Sequence, residues 1–418
     1  MKFGPMVVLV AGIYTGAFCQ SVWTTQYYSS TKYVTSVYFS SKNVGWSVGS
    51  GGLILKSENG GNTWVAESSG TIHNLASVQF LDTNTGWAVG DSGTILNTLN
   101  GGLTWASQNS GVSGPPNNKN FDVSLQSVHF VDKNHGWASG NYDVVLNTDN
   151  GGITWNEQIS VANGPVGWPS VFFVDTNFGW VVGSDNSSGI VKRTNNGGIT
   201  WSVDTIQPIP ILYSTYFVSD SIGWAVGTPV NRTNPGILKS MDGGVTWNYQ
   251  TGVNQSSLWH SVYFSDINHG WIVGDSGAFL TTSNGGNTWS YVNIGTTLDL
   301  QSVDFVDTSI GWVTGCSNVG CSILSSQSFS SSLKPISPLQ NVLFLHLSPS
   351  FLSFTLPNNF SNPSSTATIY TVSGNKLLES PIFKSNFSMP IGNLGMGKYF
   401  LEVRSTRDKI VEPFEIDR

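Results

Sequence analysis

The chain has 418 residues, 39% hydrophobic and 10% charged, with a formal net charge of −7, against roughly 25% charged residues in an average soluble domain. Glycine contributes 47 residues, and Trp, Tyr and Phe contribute 16, 13 and 22, a mixture of turn formers and strand-favouring rings that excludes a helical bundle and points to an all-β chain. Residues 20–333 hold 19 Asp and Glu against 9 Lys and Arg, which excludes the clustered basic stripe a nucleic-acid partner requires.

The first 19 residues read as a secretory signal peptide. A basic start at Lys2 precedes an apolar run over residues 6–14 and a small-x-small ending at Ala17, Phe18 and Cys19. That run is too short to span a bilayer, and no later segment approaches the ~20 apolar residues a transmembrane helix needs. The mature protein is expected to be secreted or displayed on the cell surface. With Cys19 removed, Cys316 and Cys321 are the remaining thiols, an even number in an oxidising compartment.

A repeat follows, with a period of 41–50 residues. A Gly-Trp pair recurs at Trp46, Trp87, Trp137, Trp180, Trp224, Trp271 and Trp312, each seven residues after a Phe that ends an "SVxF"-like strand. The first six units continue to a second signature, from "SENGGNTW" ending at Trp64 to "TSNGGNTW" ending at Trp289; the seventh lacks it. Each unit carries four short strands, here called A to D, which cannot bury their own faces and must stack on neighbours. A radial stack of such units is a β-propeller. Trp23 stands 23 residues before Trp46, the spacing that separates Trp64 from Trp87 and Trp289 from Trp312. Trp23 therefore marks a strand D without its own A to C, and the seventh unit has A to C without D. The sequence predicts a seven-bladed β-propeller over residues 20–324, closed by the N-terminal strand.

The "[ST]-x-[ND]-G-G-x-T-W" strings resemble the Asp-box (BNR) repeat. The whole unit, with "F-x-D-x-x-x-G-W-x-V-G", resembles the photosynthesis system II assembly factor-like propellers over residues 21–324. The resemblance implies the fold, and an assembly role for an envelope complex is one function it suggests. Physically, the Asn or Asp caps a tight turn, the glycines supply positive φ and the Trp packs between blades. His135, His269 and the turn residues Asp82, Asp132, Asp175, Asp266 and Asp307 read as architecture of the same kind.

Loop length varies only in the D-to-A and B-to-C connections, which emerge on one face. Nine extra residues lie between Trp105 and Trp137, and the B-to-C turns of the fourth and fifth units are longer by three and five. That face is the expected working surface, although relaxed constraint on loops gives the same pattern. Trp168 and Trp259 fall outside the repeat signatures, as core residues or as stacking platforms. The variable third position of strand A holds Tyr38, Gln79, His129, Phe172, Tyr216, Tyr263 and Asp304, a mixture suited to stacking and hydrogen bonding around a channel mouth. The candidate ligand-binding cluster is Trp168, Tyr213, Tyr216, Trp259, His260 and Tyr263, for a polysaccharide or protein partner.

Catalytic signals are sparse. Sialidases of the Asp-box type bind a carboxylate with three arginines, whereas residues 20–333 contain Arg193 and Arg232 alone. A glycoside hydrolase, the alternative reading, needs two facing carboxylates, and nothing in the sequence pairs the non-periodic acids Asp122, Asp143, Asp185, Asp204, Asp299 and Asp304. No catalytic residue, metal site or cofactor is assigned. Cys316 and Cys321 flank a hairpin turn in "GCSNVGC", where a disulfide fits.

Residues 325–338 are Ser- and Pro-rich and read as a linker. Residues 339–418 alternate in short strands without a helix signal, as a small Ig-like β-sandwich does. The segments "ATIYTVSGNKLL", "IGNLGMGKYFLEV" and "KIVEPFEI" resemble the type A C-terminal sorting domains of the type IX (Por) secretion system. The resemblance implies transfer across the outer membrane by the type IX machinery; a generic adhesion module is the alternative.

Overall fold

The structure, a computed structural model, describes residues 23–112, 123–158, 167–185, 187–230, 234–250, 253, 257–326, 344–347, 351–355, 365–371, 375–382, 386–390, 393–394, 397–404 and 409–416. The expected signal peptide lies outside the described residues, as does the linker from residue 327 to its end. The chain divides into two units, Met1–Phe329 and Ser330–Arg418. Among the described residues no helix is long and apolar enough to cross a membrane.

The first unit contains seven four-stranded antiparallel sheets, the seven blades. In blade 1, strand A is Val34–Phe39, B Gly45–Gly49, C Ile54–Ser57 and D Val65–Glu67. Blades 2 to 6 repeat this order over residues 75–108, 125–157, 167–206, 212–249 and 259–291. Blade 7 takes A from Asp299–Phe305, B from Gly311–Ser317 and C from Gly320–Ser325, while its outermost strand is Thr24–Ser29. Thr24 pairs with Ser325 and Ser29 with Cys321, so the N-terminal strand closes the ring. Cys316 and Cys321 face each other across the B-to-C hairpin and are joined by a disulfide.

Seven aromatic stacks hold the blades together. The Gly-Trp tryptophan of each blade lies flat on the Phe that ends strand A of the next, with centroids 3.4–3.8 Å apart, from Trp46 on Phe80 to Trp312 on Phe39. Five of these indoles, those of Trp46, Trp87, Trp137, Trp180 and Trp312, also donate to a glycine carbonyl in the next blade's Asp-box turn. The glycine before each tryptophan is required by close approach: a Cβ on Gly45 would lie 2.4 Å from the Phe39 ring, and the other six blades repeat the clash. Each Asp box is closed internally. In blade 2, Asn100 Oδ1 accepts from the Thr98 hydroxyl and the Thr104 N–H, and Thr98 Oγ1 accepts from the Gly102 N–H. The repeat signatures thus encode inter-blade packing and turn closure.

The second unit has two antiparallel sheets. One orders Phe344–Leu347, Phe351–Thr355 and Asn386–Pro390; the other orders Lys376–Ile382, Ser365–Thr371, Gly397–Arg404 and Lys409–Ile416. Ala367, Ile369, Leu401 and Val403 are fully buried, the alternation expected of strands with one covered face.

Candidate functional site

Strand A of every blade carries a bulge just before its conserved serine position, and the residue in the bulge drops out of the pairing ladder. Bulges re-aim side chains, and here they place Tyr213 and His260 beside each other on blades 5 and 6, with ring centroids 5.5 Å apart. His260 Nε2 lies 2.6 Å from Asp275 Oδ1, in the B-to-C turn of blade 6. This trio stands at the end of the channel that carries the variable loops. On the same loop face, the 69–73 connection, the 92–94 turn and strand D of blade 2 enclose a groove of ≈ 680 Å³ lined mostly by Ser, Thr, Gly, Asn and Gln, with His73 and Trp105.

Beyond the bulges, serine hydroxyls bind adjacent A strands. Ser36, Ser77, Ser127, Ser170, Ser214 and Ser302 each accept the N–H of the next blade's strand A, at 3.2–3.4 Å. The following channel-facing residues do the same with larger groups. Gln79 Oε1 accepts the Phe130 N–H at 2.6 Å, His129 Nδ1 the Phe173 N–H at 3.4 Å, and Asp304 Oδ2 the Phe39 N–H at 2.6 Å. Together with Tyr38, Phe172, Tyr216 and Tyr263 these residues line a cavity of ≈ 340 Å³ at the centre of the ring. The rings run in tilted contact from His129 through Phe172 and Tyr216 to Tyr263.

Electrostatics concentrates on one residue here. Asp304 is 6% exposed. Burial pushes its carboxyl up to about 7, against the stabilising N–H groups of Phe39 and Phe305. Burial, and then the Asp304 charge, push the Tyr216 hydroxyl up to about 12 and raise Tyr38 and Tyr263 as well. Burial pushes His129 down to about 4, so its ring is neutral near neutral pH and its Nδ1 can accept. Asp304 is the single carboxylate among the described residues lining the cavity, so the lining does not supply the facing pair that glycoside hydrolysis uses.

The structure divides the sequence-derived cluster. Tyr216 and Tyr263 line the cavity, and Tyr213 and His260 sit at its loop-bearing mouth. Trp168 and Trp259 do not join them: both are fully buried, and their indoles donate to Asp143 Oδ1 and the Pro235 carbonyl, each at 2.6 Å. Neither ring offers a face to a ligand, which corrects the stacking-platform expectation in favour of core packing.

Trp168 packs against an ion pair that sequence reasoning missed. Lys192 Nζ lies 2.7 Å from Asp143 Oδ1 and 4.7 Å from the centroid of the Trp168 ring, with both charged side chains at most 5% exposed. Asp143 has φ 62°, where blades 1, 2 and 6 place Gly52, Gly93 and Gly277. The available signal was Lys192 in the apolar run of strand C. Lys192→Met is expected to destabilise the propeller by about 3–5 kcal/mol, since it strands a buried carboxylate; urea unfolding of the variant against the parent chain measures this, and a loss below about 1 kcal/mol would contradict it.

The profile of the family described as photosynthesis system II assembly factor YCF48 matches residues 67–171, 203–298 and 249–320, together more than half of the chain. Among solved structures, YCF48 bound to a D1 peptide aligns at TM-score 0.57 and 19% identity, over 72% of this chain and 96% of its own. YCF48 from Cyanidioschyzon merolae aligns at 0.57 and 17%, over 73% and 98%. PorZ, a surface component of the type IX secretion system of Porphyromonas gingivalis, aligns at 0.49 and 14%, over 90% and 58%. At these identities the likeness speaks for the fold. No curated protein matches the sequence significantly.

Proposed function

Because the chain belongs to the family described as photosynthesis system II assembly factor YCF48, we propose that its propeller is a binding module that docks a segment of another protein on the loop-bearing face. One observation carries this reading: the Tyr213, His260 and Asp275 trio and the polar groove of blade 2 open on the face where loop length varies. A groove rich in hydroxyls and amides suits the repeating donors and acceptors of an extended main chain. The peptide held by a YCF48 of the same fold supports a protein segment over a polysaccharide. Asp304, the single carboxylate among the described residues lining the channel, favours binding over hydrolysis.

Export is part of the proposal. The signal peptide would deliver the chain to the periplasm, and the C-terminal module would hand it to the type IX machinery for release or surface attachment. The support is the sequence resemblance of residues 339–418.

A photo-crosslinking amino acid at Tyr213, compared with one at Ile199 in an Asp-box turn, tests the docking in cells of the source organism. The expected result is a discrete protein adduct from position 213 and none from 199. Adducts from 199 alone, or release of sugar from a polysaccharide panel by the purified chain, would overturn the reading.

A further inference from the structure

The channel has a second end, reached by following each strand A to its final residue. The A-to-B turns at that end carry Asp82, Asp132, Asp175, Asp220, Asp266 and Asp307 against Lys42 and Lys133, with Asp132 and Asp266 bonded to His135 and His269. An excess of one charge sign on a face raises the local concentration of ions of the other sign. Inside lies Asp304. Among the described residues no Lys or Arg pairs with it; its recorded partners are the N–H groups of Phe39 and Phe305. A carboxylate buried without a counter-charge is costly unless something supplies one. Around it stand Tyr38, Tyr216 and Tyr263, all close enough to feel its charge and all partly reachable by solvent.

Aromatic walls beside one carboxylate favour a weakly hydrated organic cation, which gains from the faces of the rings as well as from the charge. A transition metal would want a different set of donors, and among the described residues no group of three or more His, Cys, Asp or Glu could hold one. The cavity of ≈ 340 Å³ is also roomier than a bare ion requires.

We propose that this channel binds an organic ammonium group, a primary or methylated amine, with Asp304 as its counter-ion and the rings of Tyr38, Tyr216 and Tyr263 as its walls. The site is separate from the loop-bearing mouth, so it stands or falls independently of the docking proposed there.

Isothermal titration of the chain from residue 20 to 418 with methylammonium and tetramethylammonium chloride, at pH 8 in sodium phosphate, tests it against potassium chloride at equal ionic strength. The expected result is saturable binding of one ammonium ion per chain, absent with potassium, and weakened roughly tenfold or more in Asp304→Asn and in Tyr263→Leu. No saturable heat with either ammonium, equal binding of potassium, or an affinity unchanged in Asp304→Asn would each overturn the proposal. The preference for ammonium over potassium is read on the unaltered chain, so it decides the matter even if a variant fails to fold.

Discussion

Trp312→Ala is expected to lower the stability of the propeller by about 3–5 kcal/mol, the range for emptying a buried large aromatic site, and its melting temperature by roughly 10 °C. Trp312 is fully buried, lies 3.4 Å from Phe39 in a parallel stack, and donates from Nε1 to the Gly60 carbonyl at 2.8 Å. Phe39 is also held edge-on by Trp64. Blade 7 is the one blade built from both ends of the propeller, and Trp312 sits on its strand B, fastening it to blade 1. Loss of the indole leaves a cavity, strands the Gly60 carbonyl and loosens the blade whose outer strand is supplied by residues 24–29. Urea denaturation checks this; a midpoint shift equivalent to less than about 1 kcal/mol would show that the stack is dispensable.

Asp304→Asn is expected to stabilise the chain at pH 8 and to leave it nearly unchanged at pH 4. The carboxyl titrates at about 7 in the folded state against 3.8 for an unperturbed group. The folded state therefore holds its proton more tightly than the unfolded state, and stability declines as pH rises from about 4 to 7. Below that window the carboxyl is neutral in both states and imposes no penalty. Above it the full difference applies, worth at most roughly 4 kcal/mol. Facing Asp304 are the hydroxyl-bearing rings of Tyr38, Tyr216 and Tyr263, uncharged at pH 8, and the N–H groups of Phe39 and Phe305. An Asn keeps an oxygen for the Phe39 N–H and removes the charge. Melting temperatures at pH 4, 6 and 8 in phosphate, with amine buffers excluded, measure the effect. Equal destabilisation at all three values would mean that the carboxylate is a net structural gain.

Both experiments probe features that were unequally legible in the amino-acid order. Seven copies in one chain act as their own alignment, so the blade count, the Asp boxes and the closing strand at Trp23 could be read from spacing alone. The serine of each "SV" pair was visible as a repeat, but its acceptance of the next blade's N–H required coordinates, because the partner lies 42–51 residues away for most blades and 265 for Ser302. Trp168 and Trp259 broke the period, and a broken period looks the same for a core substitution and for a binding platform. Only the buried partners of their indoles, Asp143 and Pro235, decide between the two. The seven channel positions were collected correctly from the repeat. That Asp304 is buried with no Lys or Arg beside it among the described residues is a property of the assembled ring.

The pairing of Thr24 with Ser325 also bears on biogenesis. The earliest described ribbon has no mate until residues 321–325 are present, whatever the order in which the intervening sheets form. Until then the chain keeps two unpaired margins, one on the 24–29 ribbon and one on the last sheet formed. Any fragment that ends before residue 321 therefore retains both margins, however many blades it has completed.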